Sequence, residues 1–160
     1  MPSTTAILSE LLGSLKSPTM RLRTGLWLAS PQDLAAITDI GARLGVDTID
    51  LRQMILDRLL PGQRFLGLGE DDFLLLIDEI IHTPRTYDVR LLYHVDLLLA
   101  RFTRAQREDI WYRLYQGLPN RPHALILAMP QAADHLLPAA RQLNTWRMEG
   151  RLADTTHPGG

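Results

Sequence analysis

The apolar positions of this chain follow two periods, and the alternation between them suggests the architecture. Ile7, Leu8, Leu11, Leu12 and Leu15 recur at helical spacing after Ser3-Thr4-Thr5, so an amphipathic helix is expected over residues 3–16, interrupted by Gly13 and ended at Ser17-Pro18. Arg21 to Ala29 reads as a first strand, with Gly25-Leu-Trp-Leu-Ala29 continuously apolar. Ser30 is a good N-cap, Pro31 suits the first helical position, and Asp33 gives a capping-box-like pattern. Leu34, Ile37, Ile40 and Leu44 then form the buried stripe of one helix, which Gly45 stops.

The same grammar repeats downstream. Val46 to Ile49 is a short strand, and Asp50 caps a helix bearing Leu51, Met54, Ile55 and Leu59 that stops at Pro61-Gly62. A glycine-bearing connection through Gly67 and Gly69 leads to a helix begun by Asp71-Asp72, with Phe73, Leu74, Ile77, Ile80 and Ile81 inward and Thr83-Pro84 at its end. Val89 to Val95 is the clearest buried strand, with Asp96 where it emerges, inside an apolar run that reaches Leu99. Thr103 to Gln106 is a capping box for a helix carrying Ile110, Trp111, Leu114 and Tyr115, closed by Gly117 and Pro119. Ala124 to Met129 is another apolar strand, broken by Pro130, and the chain is helical in character through Trp146.

Strands that lack in–out polar alternation and alternate with helices are expected to lie in a parallel sheet covered on both faces. The expected fold is therefore a three-layer α/β domain over residues 1–152, with a disordered tail over residues 153–160. Its loops after the strands, at Ser30, Asp50, Asp96 and Pro130, would stand at the carboxyl edge, where such folds bind ligands.

Composition narrows the chemistry. At 160 residues, 46% hydrophobic and 22% charged, the chain can bury one proper core. A net charge of −1 leaves no global field towards nucleic acid or anionic membrane, so such binding needs a local patch. With no cysteine there is no disulfide and no thiolate chemistry. The start has neither a basic region nor a continuous apolar run, and no segment reaches membrane-span length, so a soluble cytoplasmic protein is expected, with no membrane partner.

Three segments resemble a small P-loop NTPase domain: Leu26-Trp-Leu-Ala-Ser30, Val89 to Leu99, and Asn120 to Pro130. The middle one resembles a Walker B strand ending in Asp96, and the last resembles the strand that follows it. In length and element order, the chain is similar to the BrxF family, the small P-loop proteins of type 3 BREX phage-defence islands. That resemblance implies a P-loop-like fold in which Ser30, Asp96 and Arg121 sit near nucleotide and Asp96 could help hold Mg²⁺.

Three features depart from it. The glycine-rich loop ending in Gly-Lys-Ser/Thr is missing, because Ala29 runs straight into Ser30-Pro31. Leu97 stands where hydrolysing members often carry a glutamate. Asp33 adds negative charge in the helix turn that should face phosphate. The expected function is a non-catalytic P-loop-like interaction subunit of a multiprotein assembly, with other protein subunits or a second copy as partners and no cofactor, and the resemblance implies a setting in bacterial phage defence. One alternative is an ATP-dependent subunit that uses Asp96 or Glu79 with Mg-ATP and takes its phosphate contacts from a partner. The other is a DNA-binding accessory that uses Arg141, Trp146, Arg147 and Arg151.

Each candidate has a plainer reading. Asp96 can simply satisfy loop amides at a strand end. Leu74-Leu-Leu-Ile-Asp78-Glu79 matches the text of a Walker B motif, but helical spacing puts Asp78 and Glu79 on a solvated helix face. His82, His94, His123, His135 and His157 show no metal-ligand spacing, and His94 is expected as a hydrogen-bonded residue inside a strand. Ser30 lacks a Gly-x-Ser-x-Gly elbow and is already explained as a cap. The late arginines can equally form a solvated basic face.

Overall fold

Strands with no polar alternation must be covered on both sides, and the chain achieves this with one parallel sheet. The structure is a computed structural model describing residues 3–18, 20–58, 69–84, 86–117 and 123–156. Its strands are β1 (Thr24–Ala29), β2 (Asp47–Asp50), β3 (Val89–Tyr93), β4 (Ala124–Pro130) and β5 (Leu152–Asp154). They lie side by side in the order β2-β3-β4-β1-β5, all parallel. Trp27 stands opposite Ala128 on one side of β1 and opposite Ala153 on the other.

The helices are α1 (Thr4–Leu15), α2 (Pro31–Ala35), α3 (Ile37–Leu44), α4 (Leu51–Arg58), α5 (Glu70–His82), α6 (Val95–Leu99), α7 (Arg104–Gln116) and α8 (Ala140–Met148), with a 3₁₀ segment over Gln131–Leu136. Successive strand residues point to opposite faces, so β1 feeds two cores. Trp27 and Ala29 join Leu8, Leu11, Leu15, Ile37 and Ile40 of α1 and α3. Leu26 and Leu28 join the larger layer formed by α4 to α8, with Phe73, Ile77, Trp111 and Trp146 fully buried. The three-layer α/β expectation is therefore met.

Local chemistry explains most element ends. Ser30 Oγ accepts from the amide of Asp33 at 3.2 Å, and Asp50 Oδ1 accepts from that of Gln53 at 3.2 Å. The Thr103–Gln106 box closes from both sides, at 3.2 and 2.9 Å. Gly45 ends α3 at φ 71°, where other residues would strain. Gly25 lets α1 pack closely on β1, since a Cβ there would lie 2.9 Å from Leu15 Cδ1 and 3.3 Å from Leu11 Cδ1 and those side-chain ends would have to shift.

Five expectations about element boundaries change. α1 runs unbroken through Gly13, whose missing side chain faces open space. β1 begins at Thr24, not Arg21, because pairing with β4 starts there. The helix after Ser30 breaks at Ala36 into α2 and α3. β3 ends at Tyr93, and a left-handed His94 turns the chain into α6, so Asp96 lies in a helical first turn and His94 is not inside a strand. The supposed tail from residue 153 contributes β5, which pairs with β1 and holds Ala153 buried. The stop expected at Leu59 to Gly62 and the connection through Gly67 lie outside the described residues.

Candidate functional site at the carboxyl edge

From β1 the chain crosses to β2 through α2 and α3, on the α1 side of the sheet. From β4 it crosses over β1 to β5 through α8, on the opposite side. Neighbouring strands whose connections leave on opposite faces open a crevice at their carboxyl ends, the usual ligand place in open α/β sheets. Here that crevice lies between Ala29–Ser30 and Pro130, because Ala29 is in register with Pro130.

At the β1–α2 junction no loop intervenes. Asp33 sits in the first helical turn, where the exposed amides favour negative charge. Its carboxylate accepts from Thr4 Oγ1 at 3.0 and 3.1 Å and from Thr155 Oγ1 at 2.7 Å. Thr155 Oγ1 in turn accepts from Trp27 Nε1 at 2.9 Å, and its amide donates to Leu28 O at 3.1 Å. The first helical turn after β1 thus carries a built-in anion, tied down by hydroxyls from the first helix and the segment after β5. An incoming phosphate would meet this carboxylate, with no loop amides or lysine to offset the repulsion.

A second group occupies the β2–β3 end of the same edge. His94 Nδ1 and Asp50 Oδ1 are 2.7 Å apart, and the His94 ring leans on that of Tyr93, with centroids at 4.8 Å. Burial, with the nearby Asp50 charge, pushes the Tyr93 hydroxyl above its usual range. His94 adopts φ 63°, a conformation histidine tolerates better than most residues. Asp50 both caps α4, accepting from the amide of Gln53, and holds the His94 ring that makes the turn into α6. His94→Gly is expected to change stability by no more than about 1 kcal/mol, relief of the backbone offsetting the lost contact. His94→Val, β-branched at positive φ, is expected to cost about 1–3 kcal/mol more in urea denaturation.

The other candidates separate widely. Asp96 is half-buried on α6 and is followed by Leu97, 45% exposed. Asp78 and Glu79 lie on α5 as helical spacing implied, and Glu79 pairs with Arg58 at 2.6 Å, which holds its carboxyl below the usual range. Arg121 lies outside the described residues. Arg141 and Arg147 are exposed on α8.

Trp146 and Arg151 correct the idea of a late basic contact patch, because both are fully buried. The Arg151 guanidinium lies over the Trp146 and Tyr115 rings, 4.5 and 4.7 Å from their centroids. It donates to Thr24 O at 2.8 Å, Tyr115 O at 2.6 Å and Glu149 Oε2 at 3.0 Å. Burial lowers its pKa, and the Glu149 contact opposes that shift. The Tyr115 hydroxyl also donates to Glu149, which raises the hydroxyl's own pKa. These side chains form a cross-link between β1, α7 and the segment leading to β5, and they are closed to an external partner.

Among the described residues, no three histidine or acidic side chains stand together as a metal site, and no helix is long and apolar enough to cross a membrane. Comparisons with protein-family models, with curated proteins and with solved structures return no match.

Proposed function

We propose that this chain is a non-catalytic, P-loop-like interaction subunit of a multiprotein assembly. The observation that supports the reading is the β1–α2 junction, where Asp33, bound by Thr4 and Thr155, stands in the first helical turn after β1, the place at which a P-loop sheet would need to receive phosphate. A domain that keeps the sheet and its crevice but seats its own carboxylate there keeps a scaffold and gives up phosphate chemistry. Asp96 on a helix and exposed Leu97 after it add to this, since neither supplies a base for water at the sheet edge. The phage-defence setting rests on the likeness to BrxF. DNA binding is less favoured, because Trp146 and Arg151 are committed to the core.

The test is the melting temperature with and without millimolar Mg-ATP. A specific ligand at about 100 times its Kd adds about 2.7 kcal/mol, several degrees for a domain of this size. No shift is expected. A clear shift that Asp96→Ala removes would replace this reading with an ATP-dependent subunit.

A further inference from the structure

A shallow groove of about 360 Å³ runs between α5 and α7, lined by Asp71, Leu74, Leu75, Asp78 and Arg113. Leu75 is 65% exposed there. The surroundings are acidic. Glu70 lies against Asp109, whose hydrogen bond and charge hold the Glu70 carboxyl above its usual range. Arg113 is the cation of the groove and is shared between Asp71 at 3.0 Å and Asp109 at 3.2 Å. Among the described residues, Asp78 stands beside His82, at 3.4 Å. The groove is therefore apolar at its floor and negative at its rim.

The outer face of α8 has the opposite character. Arg141, Asn144, Arg147 and Met148 fall on one arc of that helix, and Met148 is 79% exposed. Asn144 Nδ2 reaches Met148 Sδ at 3.5 Å, which places the thioether beside the basic side chains. Methionine is the side chain best suited to fill an irregular apolar groove. A flexible apolar knob flanked by arginines thus matches a leucine-floored groove flanked by aspartates. The two surfaces cannot meet within one molecule. α5 joins β2 to β3, α7 joins β3 to β4 and α8 leads to β5, so α7 lies between them in the helical layer.

We propose that the α8 face of one copy docks into the α5–α7 groove of the next, a head-to-tail contact that builds chains or closed rings. The contact does not depend on the P-loop reading. Exposed charge pairs are weak and screened by salt, so the association belongs to low ionic strength and high protein concentration.

Sedimentation velocity of three proteins tests it: wild type, D71K/D78K and R141E/R147E. Wild type is expected to form larger species at low salt and to disperse in about 1 M salt, where the screening length is roughly 3 Å. Each variant alone is expected to be monomeric, its Kd raised about tenfold or more. An equimolar mixture brings opposite charges together at both contacts, the intact α8 face against the intact groove and the two reversed surfaces against each other, so it is expected to regain the association that each variant alone lacks. A wild-type monomer at every salt, a variant that still associates, or a mixture that stays monomeric overturns the proposal. So does binding of Arg141 and Arg147 to duplex DNA with no self-association. Thermal melts check that the variants fold, and Met148→Ser, at a site with little to lose structurally, is a second probe expected to weaken association without moving the melt.

Discussion

Arg151→Met is expected to lower stability by about 3–5 kcal/mol, a fall in Tm of roughly 10 °C for a domain of this size. Methionine can occupy the space between Trp146 and Tyr115, so the loss comes from groups left behind. The carbonyls of Thr24 and Tyr115 lose their donor inside the protein, and Glu149 loses its cation. Each buried acceptor without a partner costs about 1–3 kcal/mol, which outweighs the gain from no longer burying a charge. Arg151→Lys keeps the charge but not the planar fork, and is expected to recover less than half of the loss. Thermal or urea unfolding decides the matter. An unchanged midpoint would mean that Arg151 serves a surface contact, as its position among other arginines suggested.

Ending the chain after Leu152 is expected to be comparably severe, at about 3–5 kcal/mol. The truncation removes Ala153, packed against the β1 face, and the amide that Thr155 gives to Leu28. It also leaves Trp27 Nε1 without an acceptor and Asp33 with Thr4 alone. Summing two or three unpaired buried groups at about 1–3 kcal/mol each gives that range. Thr155→Val isolates the hydroxyl and is expected to cost about 1–3 kcal/mol of it by urea denaturation. A truncated protein with an unchanged midpoint would restore the picture of a free tail from residue 153.

These two positions also mark where the sequence stops being legible. Ala124 to Met129 is an uninterrupted apolar run and Phe73 to Ile81 carries a clear helical period, and both lie where the pattern puts them. Asp78 and Glu79 imitate a strand-end motif in text, yet helical spacing places them correctly. β5 offers only Leu-Ala-Asp, too short to show any period, and its strand character comes from pairing with β1. A buried arginine reads like a surface one unless its partners are known, and those of Arg151 come from three elements. The run from Val89 to Leu99 is mostly apolar and holds no glycine or proline, so the turn at His94 is not marked in it. At the candidate site, the charge of Asp33 in a helical first turn was visible. Its hydroxyl partners were not, because Thr4 is 29 residues away and Thr155 is 122.

The strand order also governs how this protein comes into being. β1 is made early, yet both its neighbours, β4 and β5, come from the far part of the chain. Trp27 and the hydroxyl that receives its indole proton are 128 residues apart. On the ribosome the most apolar early strand therefore waits, unpaired on both edges until residues 124–130 have emerged and on one edge until residues 152–154 follow. Closing loops of that length is slow, which lengthens the wait. Gly25 to Ala29 is therefore the segment whose exposure during synthesis invites aggregation, and slowing translation would not let the first half of the sheet complete itself.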